Sequence, residues 1–322
     1  MKAAAALAAI LLSACSGLAA DPTTPLIDSC AVARPDFGGV ATAADRSQFA
    51  YDADAPLNLQ KTIESTVNGV EVSAILYSSA GGQTVSGLLF DPVTRSSLRP
   101  GIVLMHGMPG NARQTMGQAQ ELASLGAVVI AIDAPFARRG GSPILFTAQD
   151  RDEQVQLIKD LQRAVDVLRS RPNVDDDRIA YVGISYGAAM GALFAGIEKR
   201  LKAAALVVGD GGLVTHMTGA EDLDFMASLS CETRVNWFKA MVPVEAVRFI
   251  ATALPTRLLL QNGRLDDLVP EADAELLQAA APAPKTVRWY VAGHGLNQQA
   301  VFDRLDWLHT EIGLDARQAS AD

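Results

Sequence analysis

Short apolar runs, each followed by a loop and a helical stretch, recur from residue 101 almost to the end of the 322-residue chain. Residues 101–105, 127–132, 179–184, 203–208, 257–261 and 286–291 read as strands, and 112–125, 154–168, 187–197, 272–280 and 298–309 as helices. A strand that is apolar without alternation is buried on both faces, and strands that alternate with helices pair in parallel, because the helix carries the chain back across the sheet. The expected fold is therefore α/β, a mainly parallel central sheet with helices on both faces. Two further strands, 70–77 and 84–90, flank the turn signal Ala80-Gly81-Gly82 and are expected to form an antiparallel edge. Asp175-Asp176-Asp177 reads as a turn. The alternation breaks at about 211–254, which carries Met217, Phe225, Met226, Trp237, Phe238 and Met241 and reads as a small inserted cap. These side chains fit a pocket wall or the cap's own core equally well.

The first twenty residues stand apart. Lys2 precedes an apolar run too short to span a bilayer, and small residues follow, which is the pattern of a secretory signal. Leu12-Ser13-Ala14-Cys15 resembles a bacterial lipobox, in which Cys15 is lipidated and anchors the protein; the alternative is cleavage within residues 17–20 to release a soluble protein. The expected location is thus outside the cytoplasm, as a periplasmic or cell-surface lipoprotein or as a soluble secreted protein. Residues 21–69 read as a tether and N-terminal segment, and 70–314 as the folded domain. Cys30 and Cys231 remain as a candidate disulfide. With 27 Lys and Arg against 36 Asp and Glu, and a formal charge of -9, the chain lacks the cationic excess that nucleic-acid binding requires. Nothing in the sequence indicates an oligomeric state.

Ligands on parallel sheets bind where the loops leave the carboxyl ends of the strands, so the chemistry is sought there. After residues 179–184 comes G-x-S-x-G, formed by Gly183, Ser185 and Gly187, at a strand-to-helix junction. This is the setting that holds a serine hydroxyl out on a strained turn, with glycines where neighbouring backbone comes close. A serine nucleophile needs a base. Of the four histidines, His294 follows the last strand between two glycines and lies after the serine in chain order. His106 ends an earlier strand and suits a bracing role. His216 lies in the cap, lining the pocket or solvated, and His309 falls late in the terminal helix. The acid that would orient the base is sought among Asp266, Asp267 and Asp210, all at strand ends and all before His294. Backbone amides of Tyr186 and Met108 are the candidate oxyanion donors. Arg138 and Arg139, after residues 127–132, are either receptors for a substrate carboxylate or solvated loop charges.

The segments HGMPG, GISYG, GRLDDLVP and GHG, each after its strand, together resemble the α/β-hydrolase superfamily over about residues 70–314, most closely dienelactone hydrolases, acetyl-esterase-like enzymes and related serine peptidase catalytic domains. The resemblance implies a triad of Ser185, His294 and Asp266, the last selected by the G-x-x-D-x-x-V-P spacing, with no metal or organic cofactor. Two departures matter. Dienelactone hydrolases proper use cysteine where this chain has Ser185, and the peptidases usually carry a large N-terminal propeller, for which little sequence precedes residue 70 here. The expected activity is hydrolysis of a small carboxylic ester through an acyl-enzyme. A peptidase or amidase on the same triad, and a non-catalytic surface binding protein on the same fold, are the competing expectations.

Overall fold

A computed structural model describes residues 30–94 and 98–316. Nine strands form one sheet: β1 (Gln60–Val67), β2 (Val70–Ser78), β3 (Thr84–Pro92), β4 (Arg99–Met105), β5 (Val128–Ile132), β6 (Val174–Ile184), β7 (Ala203–Val207), β8 (Arg257–Gly263) and β9 (Lys285–Tyr290). Their spatial order is β1-β2-β3-β5-β4-β6-β7-β8-β9. Pairings from β1 through β3 to β5 are antiparallel, and all others are parallel. The helices are α1 (Ala43–Ser47), α2 (Met116–Ser124), α3 (Pro135–Arg139), α4 (Ala148–Arg169), α5 (Tyr186–Ile197), α6 (Leu213–Met217), α7 (Leu223–Ser228), α8 (Cys231–Met241), α9 (Ala246–Ile250), α10 (Glu271–Ala280) and α11 (Gln298–Ile312). No helix among the described residues is long and apolar enough to cross a membrane.

The period-two geometry of a strand sorts each central strand into two cores. Val103 and Met105 of β4, with Ile130 and Ile132 of β5, pack on the face covered by α4 and α5. Ile102, Leu104, Val129 and Ala131 pack on the other, against α2 and α11. Helix ends are set locally. Thr147 and Asp150 form a capping box at the start of α4, and Asn297 caps α11 by accepting from Ala300 N. Gly313 ends α11 in the left-handed conformation (φ 66°), where glycine meets no Cβ penalty.

The sheet begins earlier than the sequence indicates. β1 lies within 21–69, the stretch read as tether, and is exposed along its whole length, so it is held by main-chain pairing to β2 and offers no buried face for a pattern to reveal. The acidic triplet Asp175-Asp176-Asp177 lies within β6, where the register to β4 shifts between Arg99 and Gly101, rather than in a separate turn. The insertion between β7 and β8 comprises α6 to α9. Its Met217, Met226, Trp237, Phe238 and Met241 are buried, and they join the same apolar core as the sheet face under α4 and α5. Trp237 Nε1 donates to Asp150 of α4 across 2.8 Å, which ties the insertion to the sheet-covering helix. Phe225 remains half-exposed against Phe146. Cys30 and Cys231 form a disulfide with Cα atoms 5.1 Å apart, joining the N-terminal segment to α8. Cys15 and the signal sequence lie outside the described residues.

Candidate active site

The sheet order itself assembles the site. β4 and β6 are neighbours, with Met105 opposite Gly183, so the loop after one strand lies against the turn after the other. Ser185 occupies that turn at φ 56°, ψ -119°, the strained conformation that lifts a side chain clear of its strand. Its own N–H donates to Val207 O across 2.8 Å, and Ala188 N and Ala189 N donate to its carbonyl, so the backbone overdetermines the strain. The flanking glycines are required by close approach. A Cβ on Gly183 would lie 2.2 Å from Gly187 O, and one on Gly187 would lie 2.5 Å from Met105 O. Tyr181, buried in the sheet, donates its hydroxyl to Gly187 O across 2.5 Å and fixes the first turn of α5.

The loop after β4 is braced by His106. Its Nε2 accepts from Ala134 N at 3.1 Å, so Nδ1 carries the proton, and Nδ1 donates to Gly107 O at 2.7 Å. Burial pushes this imidazole below its usual pKa, the hydrogen bond to Gly107 opposing, which favours the neutral form that the two bonds require. Gly110 N also donates to Gly107 O at 2.9 Å. In a trans peptide the carbonyl and the next N–H point in opposite directions, so holding Gly107 O on His106 and Gly110 turns Met108 N–H the other way. Gly107 and Met108 line the same cavity as Ser185 and Tyr186, whose amide opens α5.

β8 and β9 are likewise adjacent, with Gly263 opposite Tyr290. The loops that follow bring Asp266 to His294. Nδ1 of His294 lies 2.9 Å from Oδ2 and 3.0 Å from Oδ1 of Asp266. Asp266 Oδ1 also accepts from Leu268 N and Val269 N at 3.0 Å. Burial pulls this carboxyl upward in pKa, but the His294 hydrogen bond and the two amides outweigh it and leave it below its ordinary value. It is therefore ionised at neutral pH.

Of the three candidate acids, the structure brings Asp266 to His294. Asp210 pairs instead with His216, whose Nδ1 is 2.9 Å from Asp210 Oδ2. Ser185 and His294 face one cavity of about 360 Å³, and no hydrogen bond joins them. Catalytic hydrogen bonds are commonly long or unformed before substrate binds. The rest of the cavity wall is mainly apolar, with Ile184, Ala189, Leu213, Leu268 and Val269. Arg138 and Arg139 do not reach it. Arg138 pairs with Asp160 at 2.6 Å and Arg139 with Glu153 at 2.6 Å, on another surface. His309 binds the Leu314 carbonyl at the end of α11. Among the described residues no group of three or more His, Cys, Asp or Glu is placed to hold a metal ion.

This sheet order, with a strained serine on the turn after a central strand, defines an α/β hydrolase. The chain belongs to the prolyl oligopeptidase family, whose pattern matches residues 113–305. Solved structures of the same fold include the acetyl xylan esterase from Paenibacillus sp. R4 (19% identity, TM-score 0.67, covering 83% of this chain and 92% of that one). Acetyl xylan esterase 1 from Thermoanaerobacterium sp. JW/SL YS485 is 14% identical, with a TM-score of 0.68 over 84% of this chain and 94% of that one. A cold-adapted esterase from an Arctic intertidal metagenomic library is 20% identical, with a TM-score of 0.59 over 80% of this chain and 100% of that one. No curated relative matches the chain.

Proposed function

We propose that the protein is a serine esterase in which Ser185, His294 and Asp266 act as a triad on a small carboxylic ester. The observation that carries this reading is the His294–Asp266 pair facing the strained Ser185 across one cavity. With Nδ1 held by Asp266, His294 has Nε2 free to take the Ser185 proton as Oγ attacks the ester carbonyl. The charge developing on the carbonyl oxygen falls to Tyr186 N–H and Met108 N–H; each such donor is worth about 3–4 kcal/mol in the transition state. Collapse of the tetrahedral intermediate expels the alcohol, which takes its proton from His294, and leaves an acyl-serine. Water then gives a proton to His294, attacks the acyl carbon and releases the carboxylic acid, and Ser185 regains its proton.

A cavity of about 360 Å³ with apolar walls suits a short acyl or alcohol group. The esterases that share the fold support the ester reading, whereas membership of the prolyl oligopeptidase family favours the second, an amidase or peptidase on the same residues. A panel of p-nitrophenyl esters of graded acyl length, set against aminoacyl and peptidyl p-nitroanilides, separates the two. Esters are expected to be turned over with the higher kcat/KM, and a strong preference for the amides would reverse the order. Export belongs to the same proposal. The Cys30–Cys231 disulfide fits an oxidising compartment, and Cys15 is the residue on which a lipid anchor would be carried.

A further inference from the structure

A second imidazole–carboxylate pair faces the cavity that holds Ser185 and His294. Asp210 lies just beyond β7 and is buried. Both of its oxygens are engaged: Oδ1 accepts from Gly212 N at 3.0 Å, and Oδ2 meets His216 Nδ1 at 2.9 Å. His216 is carried by α6, and α6 is pinned from two sides. Glu245 accepts from Val214 N at 3.1 Å and from Thr215 N and Thr215 Oγ1 at 2.8 and 2.7 Å. Arg34 donates to Thr215 O and Thr218 Oγ1, both at 3.0 Å, and pairs with Asp273 at 2.6 Å. The imidazole is therefore held in place, with Nδ1 committed to Asp210 and Nε2 left over.

Desolvation, the largest influence on this ring, lowers its pKa. The hydrogen bond and charge of Asp210, with smaller contributions from Asp222 and Asp273, overcome it and bring the pKa up to about 9. Near neutral pH the ring is an imidazolium and Nε2 carries a proton. Of the surrounding acids, Asp210 is spent on His216 itself and Asp273 on Arg34, burial pushes Glu245 up to about 7, and Asp222 acts on the ring through its charge alone. Arg138 and Arg139, for which the sequence left open either a carboxylate receptor or a solvated loop charge, are tied to Asp160 and Glu153 elsewhere. His216 places an imidazolium on a cavity wall that is otherwise mainly apolar. A charge-assisted hydrogen bond is about twice as strong as a neutral one, and more so where water is excluded.

We propose that His216, positioned by Asp210, is a specificity-determining residue whose Nε2–H receives a carboxylate on the substrate, so that the preferred esters carry a free carboxylate on the acyl or the alcohol part. The inference rests on Ser185 being the nucleophile. Two substrate pairs test it: 4-acetoxybenzoate against its methyl ester, and mono(4-nitrophenyl) adipate against its methyl-capped diester. Abolition of turnover of the neutral members by Ser185→Ala secures the underlying reading independently; turnover that persists in that variant sinks both. In the wild type at pH 7, at least one anionic member should exceed its neutral partner in kcat/KM by about ten- to hundredfold. His216→Gln should reduce that ratio by at least about tenfold. The ratio should also fall as pH rises through about 9, where Nε2 loses its proton and becomes an acceptor. Asp210→Asn keeps the ring but removes the charge that holds its second proton, so the fall should move toward the ordinary imidazole range near ~6.5. No anionic preference in either pair, or a preference that survives His216→Gln with its pH dependence intact, overturns the proposal.

Discussion

Asp266 grips His294 through both carboxylate oxygens, at 2.9 and 3.0 Å from Nδ1, while Asp267, next along the chain, has no hydrogen bond to that imidazole. This contact fixes which histidine nitrogen faces the cavity. Asp266→Asn leaves the side-chain shape but destroys the preference for that tautomer, so kcat should fall by about 10³–10⁴-fold with little change in KM. Asp267→Asn should stay within a few-fold of wild type. Steady-state kinetics on a p-nitrophenyl ester checks both. The same residue sets an acid limb of stability. Because the folded pKa of Asp266 is depressed, its stabilisation is present above the unfolded carboxylate value near ~3.9 and is lost as pH falls through the folded value. The melting temperature of the Asn variant should therefore decline less steeply in strong acid than that of the wild type.

Glu245 has the opposite sign. Burial pushes its carboxyl up to about 7, against hydrogen bonds from Thr215 and Val214 that pull it down. An acid with a raised folded pKa contributes most below its unfolded value, near ~4.3, and that contribution is lost as pH rises through the folded one. Comparing melting temperatures at pH 5 and pH 8, Glu245→Gln should show a smaller drop than wild type. An identical drop would mean that the group does not titrate in this window.

The two kinds of glycine in the chain separate in a stability measurement. At Gly187 an added Cβ meets Met105 O at 2.5 Å and His106 O at 2.8 Å, both backbone atoms, so Gly187→Ala should destabilise by at least about 1–3 kcal/mol and lower ester turnover as the elbow shifts. At Gly117, in α2, a Cβ meets nothing within 4 Å, and Gly117→Ala should stabilise by about 0.4–1 kcal/mol. Urea unfolding reads both changes.

Reduction of Cys30–Cys231 removes the covalent tie between the N-terminal segment and α8, leaving the Arg234 hydrogen bond to Cys30 O. A cross-link spanning 201 residues restricts the unfolded chain strongly, so the double Ser variant should lose about 2–5 kcal/mol. Arg34 is bound to Thr215, Thr218 and Asp273 by contacts that do not involve the disulfide. The cavity should therefore survive, and kcat at 25 °C should change less than the melting temperature.

What the sequence revealed of this molecule follows from range. The apolar runs within β4 to β8 carry their own signature because both faces of each are covered, and G-x-S-x-G is a local motif whose strand and helix lie on either side of it. β1 escaped because an exposed edge strand held by backbone hydrogen bonds has no apolar pattern. Asp266 separated from Asp210 only through the spacing shared with known hydrolases; the residues alone left both open, and the choice depends on β8 lying beside β9. The Asp210–His216 pair depends on the placement of α6 under the hold of Glu245 and Arg34, which are distant in sequence. Arg138 and Arg139 looked available because the carboxylates that occupy them, on α4, carry no mark of partnership in the sequence.

The central claim is that Ser185 is a nucleophile activated by His294. Labelling of the folded protein with a fluorophosphonate, followed by mass spectrometry of the modified peptide, tests it most directly. One equivalent on Ser185, formed much more slowly in His294→Ala, is the predicted result. Folded protein that leaves Ser185 unlabelled, or labelling at an unchanged rate without the imidazole, would contradict it.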